Sequence, residues 1–185
     1  MYQYYSLAAD WAEPLLLDSV LRLGRKHEVG VDVRSYKYWG QYRRWMRESR
    51  DPVIFSTHGI STAESKEDEW EFSSLRRSDE GRADWLKVSE HFSAEHPFET
   101  NLLIVFACYA DELDWQNYLR EGAFAIVSVG DLTTSDCAAA LQGFWRNVPR
   151  LEEFDLTYDN LVNAWPDLVH FNVVPGKLPA KQQPR

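Results

Sequence analysis

The sequence has few cysteines and no long apolar run. Only two of its 185 residues are cysteine, Cys108 and Cys137, and neither belongs to a CxxC pair. The sequence therefore predicts no disulfide framework, and no His/Cys group has the spacing of a zinc site. No apolar segment approaches the roughly 18 residues of a membrane span, and the N-terminus lacks a basic segment followed by an apolar stretch. We expect a soluble protein of the reducing cytoplasm.

Basic charge and phosphate-binding motifs are also scarce. The chain has 20 Lys and Arg against 29 Asp and Glu, a formal net charge of -9. Because phosphates and anionic lipids are bound by clustered Lys and Arg, this balance argues against nucleic acid or membrane as a direct partner. The sequence contains neither GxGxxG nor GxxxxGK[ST], so an unrelated doubly wound domain that binds a nucleotide has no motif to support it. A serine hydrolase lacks its GxSxG elbow.

What the chain does have is an apolar core and an alternation of strands with helices. It is 44% hydrophobic and 14% aromatic, enough to fold. Apolar runs predict strands at residues 2–9, 31–36, 53–57, 102–107 and 123–129 and from 170. Helical spacing predicts helices at residues 15–23, 39–48, 82–92, 111–120 and 137–146, the last capped by Ser135 or Asp136, and one more within 151–174. This order predicts an α/β three-layer sandwich with a mostly parallel central sheet. Residues 1–174 would form one domain, with a flexible tail over 175–185.

Two of the predicted strands end in reactive side chains. Val53–Thr57 leads into His58 and Gly59, and Leu102–Ala107 leads into Cys108. In open parallel sheets ligands bind outside the carboxyl ends of the strands, and the ends of adjacent strands lie about 5 Å apart.

An imidazole beside a cysteine favours the thiolate and later protonates the leaving amine of a cleaved peptide. We therefore predict Cys108 as a nucleophile and His58 as its general acid/base, with the backbone N–H groups of Gly59 and Cys108 as oxyanion donors. Cys137 has no matching base and is interpreted as structural, and the other four histidines as surface or capping residues.

These residues resemble the caspase-like cysteine peptidases, the superfamily that includes caspases, metacaspases, separase, gingipains and bacterial CHAT domains. In that family one strand ends in His-Gly, a later strand ends in a small residue followed by the catalytic Cys, and His precedes Cys. Here those are VIFST before His58-Gly59 and LIVF before Ala107-Cys108, about fifty residues apart. The stretch GAFAIVSVGDLTTSD, residues 122–136, is similar to the CHAT pattern of a Gly-Ala turn, a strand ending near Ser and a loop through Asp into a helix. The resemblance covers roughly residues 50–148.

The resemblance implies a cysteine endopeptidase that needs no cofactor, although some relatives use calcium for activation. It places Asp131 and Asp111 where a basic side chain is paired, which implies substrate binding by these two residues and cleavage after Arg or Lys. It further implies a protein or peptide substrate, a regulatory protein partner or a homo-oligomer, and a role in prokaryotic defence.

The chain departs from the family pattern at three places beside these residues. Cys108 is followed by Tyr109-Ala110 where many relatives carry x-Gly, Phe106 stands where Gln or Ser is common, and no second His follows His58-Gly59. The first departure supports an alternative: a catalytically inactive caspase-like module that binds or regulates a partner.

Overall fold

In the residues that the structure describes, nine strands and three helices of seven residues or more follow one another along the chain, and the apolar runs predict six of these strands. A computed structural model describes residues 1–6, 12–34, 44, 46–48, 50–64, 69–75 and 83–177. Its strands are β1 (Tyr2–Ser6), β2 (Val31–Arg34), β3 (Val53–Ser56), β4 (Gly59–Ile60), β5 (Glu71–Leu75), β6 (Ala83–Lys87), β7 (Leu102–Phe106), β8 (Phe124–Ser128) and β9 (Phe171–Pro175). Its longer helices are α1 (Ala12–Lys26), α2 (Thr134–Asn147) and α3 (Tyr158–Ala164).

Six of these strands form the central sheet, in the order β2-β1-β3-β7-β8-β9. The first five are parallel to their neighbours, and β9 is antiparallel at one edge. All residues of β3, β7 and β8 are buried, in agreement with their continuous apolar sequences. The predicted α/β fold with a mostly parallel central sheet is therefore confirmed. The strand order reverses between β1 and β3, so β3 borders the point where ligands bind in such sheets.

Different elements cover the two faces of this sheet. On one face the buried side chains of α1, α2 and α3 pack over Tyr4, Ile54, Ile104 and Ile126. On the other face the small antiparallel sheet β4-β5-β6 and the turns after β7 pack over Phe55, Leu103 and Val105. Both faces of the central strands are buried from solvent, so a ligand can reach only the strand ends and the loops beyond them.

The helix predicted over residues 82–92 is wrong. Ala83–Lys87 is strand β6, paired antiparallel with β5 so that Leu86 lies opposite Phe72. Leu86 and Val88 are buried, whereas Trp85 is exposed. Burial at every second residue is the pattern of a strand. Over so short a segment the apolar residues fit the helical period as well as the strand period. Pairing with β5 determines that the segment is a strand.

The helix predicted over residues 111–120 is also wrong. The segment contains two 3-10 turns, Ala110–Glu112 and Trp115–Asn117, separated by Asp114 in a non-helical conformation. The end of the segment forms an isolated parallel β-bridge between Leu119 and Phe98, in which Phe98 N–H donates to Tyr118 O at 2.7 Å. These backbone groups are therefore not free to continue a helix.

Three smaller predictions are corrected or lie outside the described residues. Helix α2 begins at Thr134, and its cap is Thr133 rather than Ser135 or Asp136. Pro175 belongs to β9 and Gly176 N–H donates to Ala123 O, so the predicted tail begins later than 175. Trp39, Tyr42 and Trp45 of the helix predicted over 39–48 lie outside the described residues, as does 178–185 of the tail.

Across the described part of the chain, none of the helices combines the length and apolar character of a membrane span.

The helical cover of the sheet gives a first prediction. Leu141 on α2 is fully buried, whereas Leu15 on α1 is 55% exposed. Leu141→Ala should lower the free energy of unfolding by about 2–5 kcal/mol through lost burial and the cavity that remains. Leu15→Ala should change it by less than about 0.5 kcal/mol. Urea denaturation measures both, and equal effects would contradict the packing of α2 on the sheet.

Candidate active site

The pairing of β3 with β7 brings His58 and Cys108 to the same edge of the sheet. The strands are parallel, and Ser56 lies opposite Phe106 in the register. Thr57 N–H donates to Phe106 O at 3.1 Å, which continues the pairing past the end of β3. His58 and Cys108 each follow the last register pair by two residues, so they leave the sheet from adjacent strands, which lie about 5 Å apart where they are paired. The predicted adjacency of the two strands is confirmed, and both residues are half-buried.

Hydrogen bonds hold the carbonyl groups on either side of Cys108. Ala107 O accepts a hydrogen bond from the Ser128 hydroxyl, whose oxygen also accepts from Ala107 N–H at 3.3 Å. Cys108 O accepts from the indole N–H of Trp70 at 2.9 Å. Within the described residues, no group accepts a hydrogen bond from Cys108 N–H. Because N–H and C=O point to opposite sides of a trans peptide, the bond from Ser128 also orients Cys108 N–H.

The turn after Cys108 forms without a glycine. Tyr109 has φ 56° and ψ 23°, in the left-handed region that residues other than glycine rarely adopt. Its N–H donates to Gly130 O at 2.7 Å. Ala110, at the position where many caspase-like peptidases carry glycine, begins a 3-10 turn and has no positive φ. The departure from x-Gly is therefore compatible with a tight turn, because Tyr109 is the residue that takes the left-handed conformation.

The sulfur of Cys108 contacts the loop between β8 and α2. Leu132 N–H points at Sγ at 3.5 Å, and Sγ lies 3.8 Å from Leu132 O. Leu132 directly precedes Thr133, the N-cap of α2. The thiol thus rests against backbone that leads into a helix N-terminus, where N–H groups face outward.

The two predicted substrate-binding carboxylates lie on the loops that meet beside Cys108. Asp111 Oδ1 accepts a hydrogen bond from Gly130 N–H at 3.2 Å, so this side chain ties the two loops together. Asp131 is exposed, and hydrogen bonding to its carboxylate, with its negative charge, raises the pKa of the Tyr109 hydroxyl. Substrate binding by either residue stays a prediction, and Asp111 has a structural role as well.

Gly59 contacts the Cys108 turn so closely that a side chain does not fit. A Cβ atom on Gly59 would lie 2.0 Å from Cys108 O and 2.7 Å from Trp70 Nε1. Gly59 also begins β4, which pairs with β5 opposite Phe72. The glycine is thus needed for packing, independently of whether its N–H serves as an oxyanion donor.

Sequence reasoning missed three residues that shape this site: Trp70, Leu132 and Ser128. Only Ser128 carried a signal, as the polar residue that closes a buried strand. Trp70 is 38 residues from Cys108 and lies in no recognisable motif, and Leu132 acts through its backbone.

The remaining cysteine and histidines lie elsewhere. Cys137 is buried on the α2 face of the sheet, and burial raises the pKa of its thiol. That environment agrees with the structural interpretation of Cys137. His170 is exposed, and its hydrogen bond to Asp167 at 2.8 Å raises the pKa of the imidazole. Among the residues that the structure describes, no three His, Cys, Asp or Glu side chains are grouped as metal ligands.

No protein-family model matches the chain, and no curated protein matches it.

The contact of Gly59 with the Cys108 turn gives a second prediction. Gly59→Ala should displace the turn and destabilise the fold by about 1–3 kcal/mol, the usual cost of forcing extra atoms into a packed site. Gly30→Ala is the control, because a Cβ there meets only Met1 side-chain atoms at 3.5 Å or more. Thermal unfolding compares the two variants. Equal stability in the two would show that Gly59 does not approach Cys108.

The cap of α2 gives a prediction about pH. The Thr133 hydroxyl donates to Asp136 Oδ2 at 2.6 Å, and Asp136 N–H donates to the Thr133 hydroxyl. The first of these bonds is the main cause that lowers the pKa of Asp136 below 3.8. A carboxyl whose pKa is lower in the folded chain adds stability above its unfolded pKa, and that stability is lost as pH falls through the folded value.

Thr133→Ala should therefore cost about 1 kcal/mol at neutral pH and clearly less near pH 2. Thr157→Ala removes a cap that bonds only Asn160 N–H, so its cost should not vary in this way. Urea denaturation at the two pH values tests the pair. If Thr133→Ala lowers the free energy of unfolding equally at both pH values, the bond between the Thr133 hydroxyl and Asp136 does not account for the pKa shift.

Proposed function

We propose that the chain is a cysteine endopeptidase of caspase-like fold, with Cys108 as nucleophile and His58 as general acid/base. The observation that supports this proposal is the parallel register of β3 and β7, which brings the strand ends before His58 and Cys108 together at one edge of the sheet. Nucleophile and base at the carboxyl ends of adjacent strands are where such a sheet supports chemistry. The order His-Gly, then Ala-Cys, then a strand ending at Ser128 and a loop into α2 also fits the family pattern.

The reaction proceeds through a thioester. His58 takes the proton from Cys108 Sγ, and the sulfur attacks the carbonyl carbon of the scissile peptide bond. As the tetrahedral intermediate collapses, the C–N bond breaks and His58 returns the proton to the leaving amine. His58 then removes a proton from water, which attacks the thioester carbonyl, and the acid product leaves as Cys108 recovers its proton.

Backbone donors stabilise the oxyanion in this scheme. Cys108 N–H donates to no protein acceptor in the described part of the chain, and it is oriented by the bond from Ser128 to Ala107 O. Gly59, in contact with Cys108 O, supplies the second N–H in the proposal. A donor fixed before the reaction needs no reorganisation as charge develops, which is why such groups are effective.

Acidic side chains around Cys108 support a basic substrate residue. Asp131 lies beside the Tyr109 hydroxyl, and the charge of Glu64 also acts on that hydroxyl. Glu112 accepts a hydrogen bond from Thr62 N–H across the same edge of the sheet. A guanidinium gains a charge-assisted contact with Asp131 that a neutral side chain lacks, so we propose cleavage after Arg or Lys.

The biological setting follows only from the resemblance. We propose a cytoplasmic peptidase under the control of a protein partner or of self-association, with a role in prokaryotic defence. The alternative, an inactive binding module, retains the same fold and loses only the reactivity of Cys108.

Labelling of the two cysteines tests the proposed function. A peptide acyloxymethyl ketone with Arg at the cleaved position should label Cys108 and leave buried Cys137 unmodified. His58→Ala should slow this labelling by about 100-fold or more, in the range that general acid/base catalysis contributes. A probe with citrulline at the same position keeps the shape of Arg without its charge and should react more slowly.

Mass spectrometry of tryptic peptides reads out each cysteine separately. Slow, equal labelling of both cysteines that does not depend on His58 would reject the peptidase and favour the binding module. Fast Cys108 labelling with equal rates for the Arg and citrulline probes would retain the peptidase and reject the basic preference.

A further inference from the structure

Two buried tryptophans meet the Cys108 turn from inside the core. Trp70 and Trp115 are fully buried, and their ring centroids lie 5.8 Å apart. Trp70 donates its indole N–H to Cys108 O at 2.9 Å, and Trp115 donates its own to Ala110 O at 2.6 Å. Two adjacent indoles thus hold two carbonyl groups of one short turn.

The residue between these two carbonyls is the strained one. Tyr109, with its positive φ, lies between Cys108 and Ala110. Its N–H is bonded to Gly130 O, while the carbonyl of the same peptide group is bonded to Trp70. That peptide group is held on both sides, so it cannot rotate to relieve Tyr109 without breaking a buried hydrogen bond.

Filling the core does not by itself require these bonds. Trp165 is buried on the opposite face of the sheet, packed against Phe144 and Phe171. Its indole N–H has no hydrogen-bond partner among the described residues. The chain can therefore bury an indole for its ring alone, whereas Trp70 and Trp115 both direct their N–H groups at the turn that carries the nucleophile.

We infer that Trp70 and Trp115 are positioning residues, whose indole N–H groups keep Tyr109 left-handed and so hold Cys108 Sγ and N–H in their reactive orientation. This inference rests on the proposed peptidase function. It assigns the pair a role in geometry, since both indole N–H groups bond backbone carbonyls of the turn. Phenylalanine in their place would keep an aromatic ring in the core but would release the carbonyls.

Trp→Phe variants test this role against a matched control. Trp70→Phe and Trp115→Phe should each lower kcat for an Arg-containing peptide by roughly 10- to 100-fold, the effect of a displacement of about 1 Å in reacting groups. KM should stay within about threefold, because the substrate-binding loops remain. Trp165→Phe removes the same atoms from a buried site without losing a hydrogen bond, and should leave both constants within about threefold.

Alkylation with iodoacetamide separates a displaced turn from an unfolded chain. If Trp70 and Trp115 act only by positioning the turn, Cys108 should be alkylated in every variant and Cys137 should stay protected. A fall in kcat that comes with alkylation of Cys137, or an equal fall in Trp165→Phe, would overturn the inference in favour of general loss of structure. Unchanged kcat in Trp70→Phe and Trp115→Phe would overturn it directly.

The failure of the proposed function is distinguishable from these results. If the wild-type chain cleaves no peptide and its Cys108 is not labelled by the Arg probe, the peptidase proposal fails. Amide hydrogen exchange at Tyr109 then still tests whether the indole hydrogen bonds hold the turn. Exchange should be at least about tenfold faster in Trp70→Phe than in Trp165→Phe, because the turn opens more easily without the bond from Trp70. Equal exchange in the two variants would reject the positioning role of Trp70 as well.

Discussion

The parallel pairing of β3 with β7 is the constraint on which the candidate site depends. A shift of one residue in this register would turn every side chain of β3 to the other face and would separate His58 from Cys108 along the edge. The register is held because both strands are buried on both faces, between the helices on one side and the small sheet on the other. The rigidity of the core is therefore what holds the strand ends before His58 and Cys108 together, and the loops beyond the strands complete the candidate site.

Much of the central sheet could be predicted from residue type alone. Residues 53–56, 102–106 and 124–128 are continuous apolar runs too short for helices, and strands of that kind are buried in parallel sheets. The tendency of successive strands to be neighbours also predicts the adjacency of these strands, and with it the meeting of His58 and Cys108 at one edge of the sheet. Helices α1 and α2 were foreseen because their apolar stripes are long enough to show a helical period.

The parts that could not be predicted are those set by long-range contacts. Residues 83–87 are a strand because β5 is available to pair with them, and residues 110–120 are turns because Phe98 takes up their backbone groups. Trp70 reaches Cys108 across almost forty positions, and nothing in its neighbourhood marks it as a hydrogen-bond donor to that turn. Left-handed Tyr109 is hidden for the same reason, because local preference disfavours it and only its surroundings maintain it.

A crystal structure of the chain treated with a peptide aldehyde ending in arginine would test the central claim most directly. The account predicts a hemithioacetal on Cys108, with its oxygen accepting a hydrogen bond from Cys108 N–H and the His58 ring within hydrogen-bonding distance of the adduct. The arginine side chain should point toward Asp131. An adduct on Cys137, or one on Cys108 with His58 turned away from it, would contradict the account.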